Sequence, residues 1–152
     1  MARFTVFLLA LTLTLCQLFA LAAPFGERRQ IGGIKCNVSR LAIVSNLAAS
    51  SKAVKNLATA AAGDPAAAAA AQTAQDGLTS SKQAIAVIAK GILTGQQSNA
   101  DARTQTENGL TTAQSALANI TSTDPAVTSA VTAAQTKVDA TIADGAKVVA
   151  NC

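Results

Sequence analysis

Beyond residue 36, apolar residues recur every three or four positions along nearly the whole chain, with alanine filling much of the stripe. That period is helical throughout. A first helix is expected over residues 37–62, with Leu41, Val44, Leu47, Val54, Leu57 and Ala61 on one side. Gly63-Asp64-Pro65 then ends it and starts the next, because aspartate is a strong N-cap and proline suits the first helical turn. The second helix carries a regular heptad. Ala71, Leu78, Ile85 and Ile92 form one row, and Ala67, Ala74, Ser81 and Ile88 the other, ending near Gly95. Ser98-Asn99-Ala100-Asp101 resembles a capping box that opens a third helix, with Leu110, Ala113, Leu117 and Ile120 facing inward. Thr123-Asp124-Pro125 repeats the stop-and-start signal. A fourth helix then carries Val127, Val131, Ala134, Val138, Ile142, Gly145 and Val149 towards Cys152.

Four helices joined by short connections pack as antiparallel neighbours, so the expected fold is all-α: an up-down-up-down four-helix bundle. The two Asp-Pro starts lie sixty residues apart, and the match extends to Leu57/Leu117, Ala74-Gln75/Ala134-Gln135 and Leu78/Val138. This register points to a duplicated helical hairpin.

Both ends of the chain add to the picture. Residues 1–22 have the charged start (Arg3), apolar centre and small-x-small end (Ala20-Leu21-Ala22) of a secretory signal peptide. Residues 23–35 read as a flexible linker or short pro-segment containing the dibasic Arg28-Arg29, and 36–152 as a single domain. No later apolar run reaches the ~20 residues a transmembrane span needs. Cys16 falls within the leader, which leaves Cys36 and Cys152 as the one pair. An even number of antiparallel helices brings those two positions to the same pole, so a disulfide is expected to close the bundle in an oxidising, extracellular setting. Export would also make Asn37-Val38-Ser39 and Asn119-Ile120-Thr121 candidate N-glycosylation sites at Asn37 and Asn119, with Asn37 alternatively capping the first helix.

Composition narrows the chemistry. The chain has no histidine, tryptophan or tyrosine, so neither an ordinary catalytic triad nor the commonest metal ligand is available. The cysteines are engaged with each other. Asp64 and Asp124 read as helix caps and Asp101 as part of the capping box, while Asp76, Glu107, Asp139 and Asp144 are expected on solvated faces. No phosphate loop, calcium loop or nucleophile elbow is present. The expectation is a non-enzyme without cofactor or metal. The net charge of +4 is too small and too local for a nucleic-acid partner.

What remains is a binding or structural role. A carrier of a small apolar ligand or lipid would line its site with Leu41, Val44, Leu47, Leu78, Ile85, Ile88, Ile92, Leu110, Leu117, Val138 and Ile142, unless these simply form the core. The alternative is an extracellular surface-active, coat or host-interaction protein that works without a small molecule, its partner then being a hydrophobic surface. Ice binding draws on Thr128, Thr132 and Thr136, which step by four but form only a short row. The leader, the segment Arg29-Gln30-Ile31-Gly32-Gly33-Ile34-Lys35-Cys36 and the run Leu41-Ala42-Ile43-Val44-Ser45-Asn46-Leu47 resemble small secreted alanine-rich helical proteins of insects. That group has no assigned activity, so the resemblance implies no functional residues.

Overall fold

A computed structural model describes residues 32–96 and 99–152. The expected leader, the linker up to residue 31 and Ser98 of the capping box lie outside them. The described residues form four helices: α1 (Ile34–Ala60), α2 (Pro65–Leu93), α3 (Ala100–Ala118) and α4 (Pro125–Asn151). A single 3-10 turn, Ala61–Gly63, follows α1. The fold is the antiparallel four-helix bundle that the periodicity implies.

The punctuation works as the residue types dictate. The Asp64 carboxylate accepts from the Ala67 N–H at 3.1 Å and the Asp124 carboxylate from the Ala126 N–H at 2.7 Å, each just before a proline that starts a helix. Both satisfy a backbone donor that a helix start otherwise leaves open. Asn99 caps α3, its side chain accepting from Asp101 N–H at 2.8 Å. Gly33 is the N-cap of α1, so Ile34 and Lys35 belong to the helix and Asn37 lies inside its first turns rather than at its cap.

Packing is unequal. α1 packs chiefly on α4 and α2 chiefly on α3, while α1/α2 and α3/α4 contacts are sparser. The α1/α4 seam is an antiparallel ladder whose half nearer the disulfide carries polar pairs. The Cys36–Cys152 disulfide closes it, with the two Cα atoms 4.9 Å apart. Asn151 donates to Ser39 Oγ at 3.0 Å, Asn46 donates to the Asp144 carboxylate, and Ser50 and Thr141 share a hydroxyl hydrogen bond of 2.9 Å. The α2/α3 seam depends on close approach. A Cβ placed on Gly77 would meet Gly109 O at 2.5 Å, and one on Gly109 would meet Gly77 O at 2.5 Å. One turn further on, Ser81 Oγ donates to Thr106 O at 2.9 Å.

Between the pairs lies a core of Leu47, Val54, Leu57, Leu78, Leu110, Leu117, Val127 and Val138, interleaved with buried alanines. Alanine lets helix axes come close but removes little apolar area from water. The buried positions of α2 and α4 repeat at the sixty-residue spacing: 67/127, 71/131, 74/134, 78/138, 81/141 and 84/144.

Candidate apolar site at the disulfide pole

The two ends of the bundle are built differently. Both connections between the helix pairs, residues 61–64 and 119–124, lie at one pole. At the other pole every covalent link stays within a pair: the disulfide joins α1 to α4, and residues 94–99 join α2 to α3. Nothing covalent ties pair to pair there.

The core gives out at that same pole. On α4, Val131 and Val138 are buried, Ile142 four residues on is half-buried, and Val149 on the same stripe is 82 % exposed. On α2, Leu78 is fully buried, but Ile85, Ile88 and Ile92, which continue its face, are half-buried. The flank of α2 away from α3 shows the same gradient at heptad spacing: Ala68 and Gln75 are half-buried, Lys82 and Ala89 exposed. Val44 of α1 is 49 % exposed. Ile85 and Ile142 still pack against the core. Large apolar residues that continue the inner stripes of α2 and α4 are thus half-exposed towards the disulfide pole, while Leu57, Leu117 and Val127 towards the loop pole are buried.

The eleven candidate lining residues therefore divide. Leu47, Leu78, Leu110, Leu117 and Val138 are core, and they sit where helices already touch. Ile85, Ile88, Ile92 and Ile142 are half-buried towards the disulfide pole, and Val44, expected on the inner side of α1, is 49 % exposed beside its inward face. Leu41 corrects the expectation: it is 72 % exposed on the outer side of α1 and belongs to neither. The physical reason lies in the first turns of α1, whose inward face is Cys36, Ser39, Ile43, Leu47 and Ser50. A pattern weighted by large apolar side chains misses a seam made of serines and a cystine.

Asp144, expected on a solvated face, is buried in the α1/α4 seam. Lys147 Nζ donates to one carboxylate oxygen at 2.9 Å and Asn46 to the other. The hydrogen bond from Lys147, then that from Asn46, holds the carboxyl below its ordinary value, against an opposing effect of burial. Asp76, Glu107 and Asp139 are exposed. Asp76 accepts from Gln72 at 2.9 Å and Asp139 from Gln114 at 2.8 Å, so each serves a local surface contact. No three His, Cys, Asp or Glu side chains converge on a common point among the described residues.

Two shallow depressions lie elsewhere. One runs over the Gly77–Gly109 crossing, flanked by Asp76, Asp101, Gln105 and Asn108; the other lies beside the α3–α4 connection around Ser122, Thr128 and Gln135. Both are open, and neither is lined by Ile85, Ile88, Ile92 or Ile142. Thr128, Thr132 and Thr136 are exposed, but each hydroxyl donates to the carbonyl four residues earlier, at 2.9, 3.1 and 2.9 Å. Asn37 and Asn119 are both exposed; Asn119 is the C-cap of α3, and Asn37 sits beside the disulfide and accepts from Arg40 at 3.4 Å. No helix among the described residues is long and apolar enough to cross a membrane. Comparison with protein-family models, with curated proteins and with solved structures gives no match to this chain.

Proposed function

We propose that this is a secreted, non-enzymatic protein that holds a small apolar ligand, an aliphatic chain or lipid, in the mouth between its two helix pairs at the disulfide pole. The observation that carries the reading is the row Leu78, Ile85, Ile92, which passes from fully buried to half-exposed without any change in apolar character. Entry needs the pairs to part only where no covalent link joins them. The disulfide leaves that motion free, because it fastens α1 to α4 inside one pair. Secretion is supported by the leader-like residues 1–22 together with the disulfide.

Native mass spectrometry of the protein secreted from cultured eukaryotic cells tests this. A stoichiometric mass that leaves on unfolding, and that the double variant Ile88→Asp/Ile92→Asp no longer retains, is the expected result. A bare polypeptide mass, apart from glycan and the disulfide, would overturn it.

The second reading, an extracellular surface-active, coat or host-interaction protein, is favoured by a different observation. Ile34, Val38 and Leu41 form an apolar stripe on the outer side of α1. Ice binding has the least support, since its threonine hydroxyls are turned onto their own helix.

A further inference from the structure

α1 carries apolar residues on two opposite sides. Its inner face meets the bundle. Its outer face carries Ile34, Val38 and Leu41 at 85, 61 and 72 % exposure, spaced by four and three residues so that they align along one side. Continued along the same side at heptad spacing, the line passes Ser45 and Ala48 and ends in Lys52 and Lys55, all exposed. The whole of α1 contains no carboxylate, while it holds Lys35, Arg40, Lys52 and Lys55. No other helix of the bundle has this charge pattern, since α2, α3 and α4 each carry acids among their bases.

We propose that the outer face of α1 docks on an anionic phospholipid bilayer, the Ile34–Val38–Leu41 stripe entering the interface and the lysines meeting the headgroups. Charge complementarity selects this occupant. An acid-free cationic helix with an apolar stripe is attracted to a negative surface and gains from burying the stripe at its boundary. A second copy of the chain would bring the same cations face to face, and like charges across an interface oppose association. Three large side chains make a weak, reversible anchor, suited to a protein that visits a surface and leaves it. The inference rests on the exterior of α1 alone and does not depend on the mouth between the pairs.

The test is co-sedimentation of the disulfide-intact protein with phosphatidylcholine vesicles, with and without phosphatidylserine, at low and high salt. Binding is expected only to the phosphatidylserine vesicles and is expected to weaken as salt rises. Ile34→Ser/Val38→Ser/Leu41→Ser should lower partitioning about tenfold or more with an unchanged circular dichroism melt, because none of the three side chains is buried. Lys52→Glu/Lys55→Glu should lower it without altering any apolar residue. Equal binding to neutral vesicles, no binding to either, or unaltered binding by both variants overturns the proposal. So does a concentration-dependent dimer in sedimentation velocity that the triple variant abolishes. Because the triple variant leaves Ile85, Ile88 and Ile92 intact, it should keep any ligand held in the mouth, so the two sites fail independently.

Discussion

The inward stripes run to both poles of the bundle with different residues: leucine, valine and alanine at the loop pole, and cystine, serine, threonine and aspartate beside half-buried isoleucines at the disulfide pole. At the loop pole, Leu57, Leu117, Val127 and Ala67 are all at or near zero exposure, and two short connections hold the pairs together. At the disulfide pole, Ile85, Ile88, Ile92 and Ile142 continue the same stripes and remain half-wet. The difference is one of connectivity and of side chains, since α1 and α3 face inward there with Cys36, Ser39, Ala102 and Thr106. A covalent link restrains only the elements it joins, and the disulfide joins two helices that already pack along their length. It secures a seam and leaves the boundary between seams alone.

The sharpest way to break the comparison is to remove that link. Cys152→Ser opens a closure of 116 residues in sequence, worth up to about 4–5 kcal/mol in the chain-entropy treatment. The melting temperature should fall by well over about 10 °C; an unchanged calorimetric melt would mean the seam does not need it. Next come paired truncations. Leu57→Ala at the loop pole should cost about 3 kcal/mol and Ile92→Ala at the disulfide pole under about 1 kcal/mol, read by urea denaturation. Equal costs would erase the distinction. Two glycines extend the test. Gly77→Ala would drive a Cβ into Gly109 O and should destabilise by about 2 kcal/mol despite alanine's better helix propensity. Gly145→Ala, near the disulfide, meets only Ile43 Cδ1 at 3.6 Å, so there propensity decides and the variant should gain about 0.5–1 kcal/mol.

The smallest effect is set by pH. Asp144 is held below its ordinary value of 3.8 by Lys147 and Asn46. A depressed carboxyl binds fewer protons folded than unfolded, so its contribution is complete above that ordinary value and is lost as pH falls through the lower folded one. Acid titration of stability should therefore steepen below about pH 4, and Asp144→Asn should flatten that limb. An identical acid limb in the variant would place the sensitivity elsewhere.

Much of this was legible in the sequence because it depends on local chemistry. Asp-Pro starts, helix period and the leucine and valine stripes each have a physical cause confined to a few residues, and the terminal cysteine pair followed from counting the helices those signals delimit. The α1/α4 seam was not legible. Ser39, Ser50, Thr141 and Asp144 are polar residues made suitable for burial only by partners roughly a hundred positions away, and no periodicity reports that. The half-exposed end of the stripes was hidden for a related reason: Leu78, Ile85 and Ile92 are equivalent in the heptad, and only the tertiary arrangement makes one core and leaves the others half-buried.

The measurement that bears most directly on the ligand site is methyl-resolved NMR of isoleucine- and leucine-labelled protein titrated with dodecanoate. Saturable shifts of Ile85, Ile88, Ile92 and Ile142, with Leu57 and Leu117 unmoved, are expected for a mouth that takes an aliphatic chain. Shifts confined to Ile34 and Leu41 would assign binding to the outer face of α1, and shifts at Leu57 and Leu117, or none at all, would mean the disulfide pole is not where this protein holds an apolar partner.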